Sequence, residues 1–192
     1  HGANGYLLDQ FLKTGANQRT DDYGGAIANR ARLMLEVTRA VADAVGPGRT
    51  GLRVSPVTPA NDIVDADPQP LFDHLMRELG ALPLAYVHVI EGATGGPREV
   101  EGRPFDYAAM KAAYREGGGQ GAWMVNNGYD GALARSALES GHADLVAFGK
   151  AFISMPDWTE RLRRDLPFVA PERATLYGGG AHGYTDYPAL GD

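Results

Sequence analysis

The chain has no cysteine. That one absence removes disulfides, zinc–thiolate sites, cysteine nucleophiles and cysteine-ligated iron–sulfur clusters from consideration, and it fits a reducing cytoplasm. No apolar run approaches the roughly 20 residues that span a bilayer, and no basic-then-apolar leader opens the chain, so no membrane partner is expected. Positive charge is also scarce. Eighteen Lys and Arg stand against 24 Asp and Glu, a net charge of −6, and the basic residues are scattered. Nucleic acid, which needs clustered cations against its phosphates, is therefore not expected as a partner, and a small molecule is. The sequence does not begin with methionine; it opens at His1 inside what reads as functional sequence, so a processed product or a piece of a longer chain is expected.

What is present suits one globular domain. At 192 residues, 44% hydrophobic and 22% charged, the chain can bury roughly 70% of its unfolded surface. Near-helical spacing of Ile27, Ala31, Met34, Val37, Val41 and Val45, closed by Gly46-Pro47-Gly48, predicts a helix over 27–45. The β-rich stretch 51–56 predicts a strand with Arg53 near its end. The loop 57–68 holds Asn61, Asp62, Asp65 and Asp67. Its spacing lacks the pattern of a calcium loop, so it is expected to be solvated, with Asp67 capping a helix over 69–80. A strand over 84–90 contains His88, expected to be a hydrogen-bonded core histidine. A helix over 105–116, a strand over 123–126, an Ala-rich helix to Gly141, a buried strand over 143–148 and a helix around 157–165 complete the pattern.

Four strands alternating with helices require parallel β/α units. A (β/α)8 barrel needs eight strands and about 250 residues, so the chain supplies about half of one, unless it forms an open α/β sheet in its own right. In either fold the ligand site lies at the carboxyl ends of the strands. Arg53, the turn Asn127-Gly128 and the pair Gly149-Lys150 all fall there. The two small-residue turns would let backbone N–H groups approach a phosphate, with Lys150 adding a cation and a short helix near Ala151 its dipole. Arg53, on a buried strand, needs either a carboxylate or an electron-rich ligand edge. At the start, His1-Gly2-Ala3-Asn4-Gly5-Tyr6 brings an imidazole, a carboxamide and a phenol close enough to converge on one oxygen-bearing ligand.

Five motifs together resemble the second half of an old yellow enzyme, the flavin-dependent ene-reductase family, on its N-ethylmaleimide reductase-like side. They are His1-Gly2-Ala3-Asn4-Gly5-Tyr6-Leu7-Leu8-Asp9-Gln10-Phe11-Leu12, Asn17-x-Arg19-Thr20-Asp21-x-Tyr23-Gly24-Gly25, Asn29-Arg30-x-Arg32, Arg53-Val54-Ser55-Pro56 and Gly178-Gly179-Gly180-Ala181-His182-Gly183-Tyr184-Thr185-Asp186-Tyr187-Pro188. The His-x-x-Asn pair and the missing cysteine cluster favour that group over the related iron–sulfur dienoyl-CoA reductases.

The resemblance implies one FMN-binding TIM-barrel domain, of which residues 1–192 form the C-terminal half with strands five to eight, in a cytoplasmic enzyme using NAD(P)H. It implies that His1 and Asn4 hydrogen-bond the oxygen of an enone or nitroalkene and that Tyr6 is the proton donor. It further implies that Arg53 meets the N1/O2 side of the flavin, that Asn127, Gly128, Gly149 and Lys150 cradle its phosphate, and that Tyr184 lines the substrate pocket. The missing N-terminal half-barrel is then a required partner. Two departures stand out: Gly149-Lys150 where the family has Gly-Arg, which exchanges a forked phosphate contact for a single one, and Glu91-Gly92-Ala93, which has no reading from sequence. Two alternatives stay open, an inactive half-barrel or interaction module, and an unrelated phosphate-binding β/α enzyme such as an aldolase or isomerase. Against the latter, no lysine lies within an apolar strand.

Overall fold

The computed structural model describes residues 1–191. Among them, four strands form one parallel sheet in sequential order: β1 (Gly51–Val54), β2 (Tyr86–Ile90), β3 (Ala122–Asn126) and β4 (Leu145–Val146). The helices between them are α1 (Leu7–Leu12) and α2 (Ile27–Val45) before β1, then α3 (Pro68–Gly80), α4 (Tyr107–Glu116) and α5 (Gly131–Glu139), with α6 (Lys150–Ser154) and α7 (Trp158–Arg163) after β4. This is the β/α alternation expected from the sequence. No helix among the described residues is long and apolar enough to cross a membrane.

The two faces of the sheet differ. Leu52, Val54, Val87, Val89, Trp123 and Val125 are buried in the main core with Met34 of α2, Leu71, Phe72, Leu75 and Leu79 of α3 and Met110 and Tyr114 of α4. The alternate residues Arg53, His88, Met124 and Asn126 are only half-buried and look into a concave face. Helices on one face and a half-open concavity on the other are what part of a barrel presents.

Local chemistry sets the element ends. Helix α2 buries Arg30, Ala31, Met34, Thr38 and Ala42 along one stripe. Asp106 and Asp130 cap α4 and α5, accepting from Ala109 N at 2.9 Å and Leu133 N at 2.8 Å. The Asp106 cap moves the start of α4 from the expected 105 to 107. Asp67 precedes α3, but its side chain makes no cap bond. Pro68 and Pro70 begin that helix with preset φ and no N–H to satisfy, while Asp67 N–H donates to Asp65 Oδ1 at 3.0 Å.

Two further expectations are corrected. The loop 57–68 is not wholly solvated: Asp65 is buried and accepts from Arg30 Nη1 at 2.7 Å and Thr14 N at 2.9 Å. Arg30 also donates to Leu12 O and Gly25 O, so this motif arginine ties α1, the polar loop before α2 and the loop after β1 together. The last strand is short and partly open, since β4 covers two residues and Leu145 is 43% exposed. Asp144 N–H and Ala147 N–H still reach Trp123 O and Val125 O at 2.8 and 2.9 Å. Beyond β4 no further strand pairs with it among the described residues, so its outer edge is open there.

Candidate active site

The opening hexapeptide is held against the first strand. Gly2 makes an isolated parallel bridge to Val54, its N–H donating to Arg53 O at 2.9 Å, so the backbone before Asn4 is fastened to the edge of β1. The chain then turns sharply through Asn4 (φ +59°) and Gly5 (φ +72°). Gly5 is required there, because a Cβ would stand 2.6 Å from Ala60 O. The turn leaves His1 and Tyr6 stacked at a tilt, ring centroids 5.3 Å apart, with Tyr6 58% exposed.

Asn4 is tied at three points. Its N–H donates to Ser55 Oγ (2.8 Å), its carbonyl accepts from Asn61 Nδ2 (2.9 Å) and its Oδ1 accepts from Thr94 Oγ1 (2.7 Å). The Asn4 amide NH2 and the His1 imidazole have no hydrogen-bond partner among the described residues. Two donors therefore stand ready beside a phenol.

Sequence reasoning missed what lies behind this turn. Lys13 and Asp9 are completely enclosed, and Lys13 Nζ donates to Asp9 Oδ2 and to Ser55 O, each at 2.8 Å. Gly5 N–H also donates to Asp9 Oδ2, at 2.9 Å. Burial pushes Lys13 down and Asp9 up, and their mutual attraction opposes both shifts. No lysine lies in an apolar strand, but Lys13, just after α1, is buried all the same. Its i, i+4 spacing to Asp9 was the available signal.

Arg53 looks into the concave face with no carboxylate partner among the described residues, and its buried Nε has no hydrogen bond there. Burial works against its charge. Across the sheet, Arg53 pairs in register with His88. His88 is half-buried rather than in the core proper, with Nε2 3.2 Å from Asn126 Oδ1. Its pKa is pushed down to about 4, chiefly by burial and then by repulsion from Arg53, while the Asn126 hydrogen bond acts in the opposite direction.

At the far side of the strand ends, a pocket of about 540 Å³ is lined by Asn127, Gly128, Gly149 and Lys150, together with Thr94, Trp158 and Phe168. A Cβ on Gly149 would meet nothing within 4 Å, so that wall is open. The backbone N–H groups of Gly128, Gly149 and Lys150 have no partner among the described residues. Gly128 has φ +68° and lies against Arg98. The Asn127 side chain is committed elsewhere. It donates to Glu91 O (2.6 Å) and Ala93 O (2.9 Å) and accepts from Gly95 N (3.0 Å), so it holds the loop that forms the pocket wall.

Glu91, unreadable from sequence, anchors the same region. It is 1% exposed and accepts from Arg98 Nη2 (2.5 Å) and Tyr129 OH (2.7 Å), with His142 Nε2 at 2.5 Å from its other oxygen. Arg98 also lies over the Tyr129 ring, 4.4 Å from its centroid. Tyr184 is 76% exposed on the C-terminal segment. No hydrogen bond, ion pair or ring contact joins it to His1, Asn4 or Tyr6.

Comparison with known proteins agrees with this layout. Rice (Oryza sativa subsp. japonica) 12-oxophytodienoate reductase 7 is 42% identical over 207 residues, covering 100% of this chain and 51% of that protein. The structure of the old yellow enzyme from Trypanosoma cruzi superposes with a TM-score of 0.88 at 37% identity, over 99% of this chain and 48% of that one. The old yellow enzyme homologue from Zymomonas mobilis gives 0.91 at 35% identity, over 99% and 52%. The chain thus spans about half the length of the relatives it matches, and its strand–helix units are part of an α/β barrel. With the sequence model for NADH:flavin oxidoreductases and NADH oxidases matching residues 1–168, the chain belongs to the NADH:flavin oxidoreductase / NADH oxidase family, the family of the old yellow enzymes.

Proposed function

We propose that the protein is an FMN-dependent ene-reductase that uses NAD(P)H to reduce the activated C=C bond of an enone or nitroalkene. Residues 1–192 would form the C-terminal half of its single barrel domain. The observation that carries the reading is the 540 Å³ pocket that collects Asn127, Gly128, Gly149 and Lys150 at the strand ends, on the same rim as the His1–Tyr6 turn. The donor set suits FMN. Three free backbone N–H groups and the Lys150 ammonium would hold the phosphate, and the orphaned Arg53 guanidinium would meet the electron-rich edge of the ring.

When bound, reduced FMN supplies the hydride. His1 and the Asn4 NH2 hold the substrate oxygen and stabilise the negative charge that develops on it, which leaves the β-carbon electrophilic. Tyr6, beside His1, gives its phenolic proton to the α-carbon. Asp9, Lys13 and Ser55 touch neither ligand and keep the Asn4 turn in place. Tyr184 would reach the substrate only if the C-terminal segment folds over the rim. The other half-barrel is proposed to pair beside the Gly2 bridge and with the open edge of β4, closing the concave face. The lack of cysteine suits a cytoplasmic setting.

The test is direct. The complete protein should purify yellow, bleach on adding NADPH under argon, and recover its colour when an enone is added. A protein that takes up no flavin when refolded with FMN, or whose reduced flavin is not reoxidised by any enone or nitroalkene, would remove this reading.

A further inference from the structure

An asparagine carries four hydrogen-bonding groups, two on the backbone and two on the side chain. In Asn4, Ser55 takes the backbone N–H, Asn61 the carbonyl and Thr94 the side-chain oxygen, which leaves only the NH2. A carboxamide turned by half a revolution occupies almost the same volume but presents an acceptor where it had presented a donor. Shape alone does not choose between the two states, so the choice falls to the hydrogen-bond partner.

That partner is itself fixed. Thr58 Oγ1 donates its one proton to Gly92 O at 2.7 Å, so it can only accept from Thr94 Oγ1, and at 3.3 Å it competes weakly for the Thr94 proton against Asn4 Oδ1 at 2.7 Å. The loop carrying Thr94 is pinned on both sides by Asn127, through Ala93 O and Gly95 N. The Thr94 hydroxyl is therefore presented to Asn4 by the loop after β2 and by the end of β3, 90 residues away in sequence.

We propose that Thr94 sets the polarity of the substrate-oxygen pocket. By donating to Asn4 Oδ1 it turns the amide NH2 toward the ligand, so the pocket takes a carbonyl or nitro oxygen in preference to a hydroxyl. The proposal rests on the reading of His1 and Asn4 as the oxygen-binding pair. Thr94 is a positioning residue: it acts through Asn4 and does not touch the substrate. With the amide reversed, a lone pair would face the oxygen just as negative charge builds on it, and stabilisation would become repulsion.

The experiment compares the complete FMN-loaded protein with Thr94→Val, which keeps the shape and removes the hydroxyl, and Thr94→Ser, which restores it. Dissociation constants are measured for cyclohexanone and cyclohexanol, neither of which has a reducible C=C bond, from the perturbation of the flavin absorbance. Thr94→Val should bind the ketone about fivefold more weakly, the worth of one hydrogen bond, and the alcohol within about twofold of the original. Thr94→Ser should recover the ketone preference. An unchanged ketone-to-alcohol ratio in Thr94→Val overturns the proposal, as does an equal loss of both ligands, which is what a merely structural role would give. Tighter ketone binding also overturns it, because the hydroxyl would then have been accepting from the amide. Failure of the unsubstituted protein to bind either ligand removes the oxygen-pair reading itself, and this result precedes any substitution.

Discussion

Replacing His88 by glutamine keeps a hydrogen-bonding side chain opposite Asn126 but removes the titratable imidazole, and it should abolish a defined part of the protein's acid sensitivity. In the folded protein His88 is held at about 4, against 6.5 when exposed. Burial is the first cause and Arg53 the second. Between those values the unfolded chain binds a proton that folded His88 refuses, so stability must fall as the pH drops through this window and stay level above it. At about 1.4 kcal/mol per pH unit the whole displacement would give roughly 3 kcal/mol, and the partial solvent contact of the ring reduces this to roughly 2 kcal/mol. Urea midpoints of the protein and of His88→Gln at pH 7 and at pH 4.5 measure it, alongside an NMR titration of the imidazole. The variant should lose roughly 2 kcal/mol less on acidification. Equal losses, or an imidazole that titrates near 6.5, would refute the argument. Arg53→Gln should move the imidazole titration upward, and no movement would assign the whole effect to burial.

Gly149→Asp places a carboxylate in open space within the proposed phosphate cradle. It should weaken FMN binding at least tenfold by charge repulsion while leaving the melting temperature of the flavin-free protein unchanged. A flavin affinity equal to the original would remove Gly149 from the cradle. Lys13→Met leaves the Asp9 carboxylate enclosed without its cation and should destabilise the protein by about 3–5 kcal/mol. A loss under about 1 kcal/mol in chemical denaturation would mean that Asp9 is neutral in the fold. Tyr6→Phe should slow enone reoxidation of the reduced protein about a hundredfold or more and leave flavin reduction by NADPH unaffected. Undiminished reoxidation with every enone would take the proton donor elsewhere.

The periodic parts of the fold were legible from sequence because their causes are local. The buried stripe of α2 and the positions of β1, β2 and β3 were readable in residue order, whereas the one cap expected, at Asp67, makes no side-chain bond and the caps form at Asp106 and Asp130. Strand β4 was overestimated because an apolar run does not reveal whether a neighbouring layer covers it. Asp65 was misjudged for the converse reason: its partner Arg30 lies 35 residues away, and nothing in an acidic loop announces a distant guanidinium. The residues proposed for ligand contact came from motifs, but their supports did not. Lys13, Thr94 and Glu91 act through partners brought together by the sheet, and the Asn127 side chain, besides lining the pocket, holds the neighbouring loop.

The single segment Arg53-Val54-Ser55 carries more than its length suggests. Arg53 is proposed to face the flavin, Val54 bridges to Gly2, and Ser55 receives both the Asn4 N–H and the Lys13 ammonium. On the proposed reading, the hydride-donating and hydride-accepting ends of the site would thus be gauged by one segment, with a rise of about 3.3 Å per residue, and not by two loops that could drift apart. Any change that shifts β1 would carry both ends with it, so on that reading the hydride-transfer distance would be insulated from motion elsewhere. Adaptation to new substrates would then be confined to the rim, where Thr94 and the C-terminal segment can vary without altering that gauge.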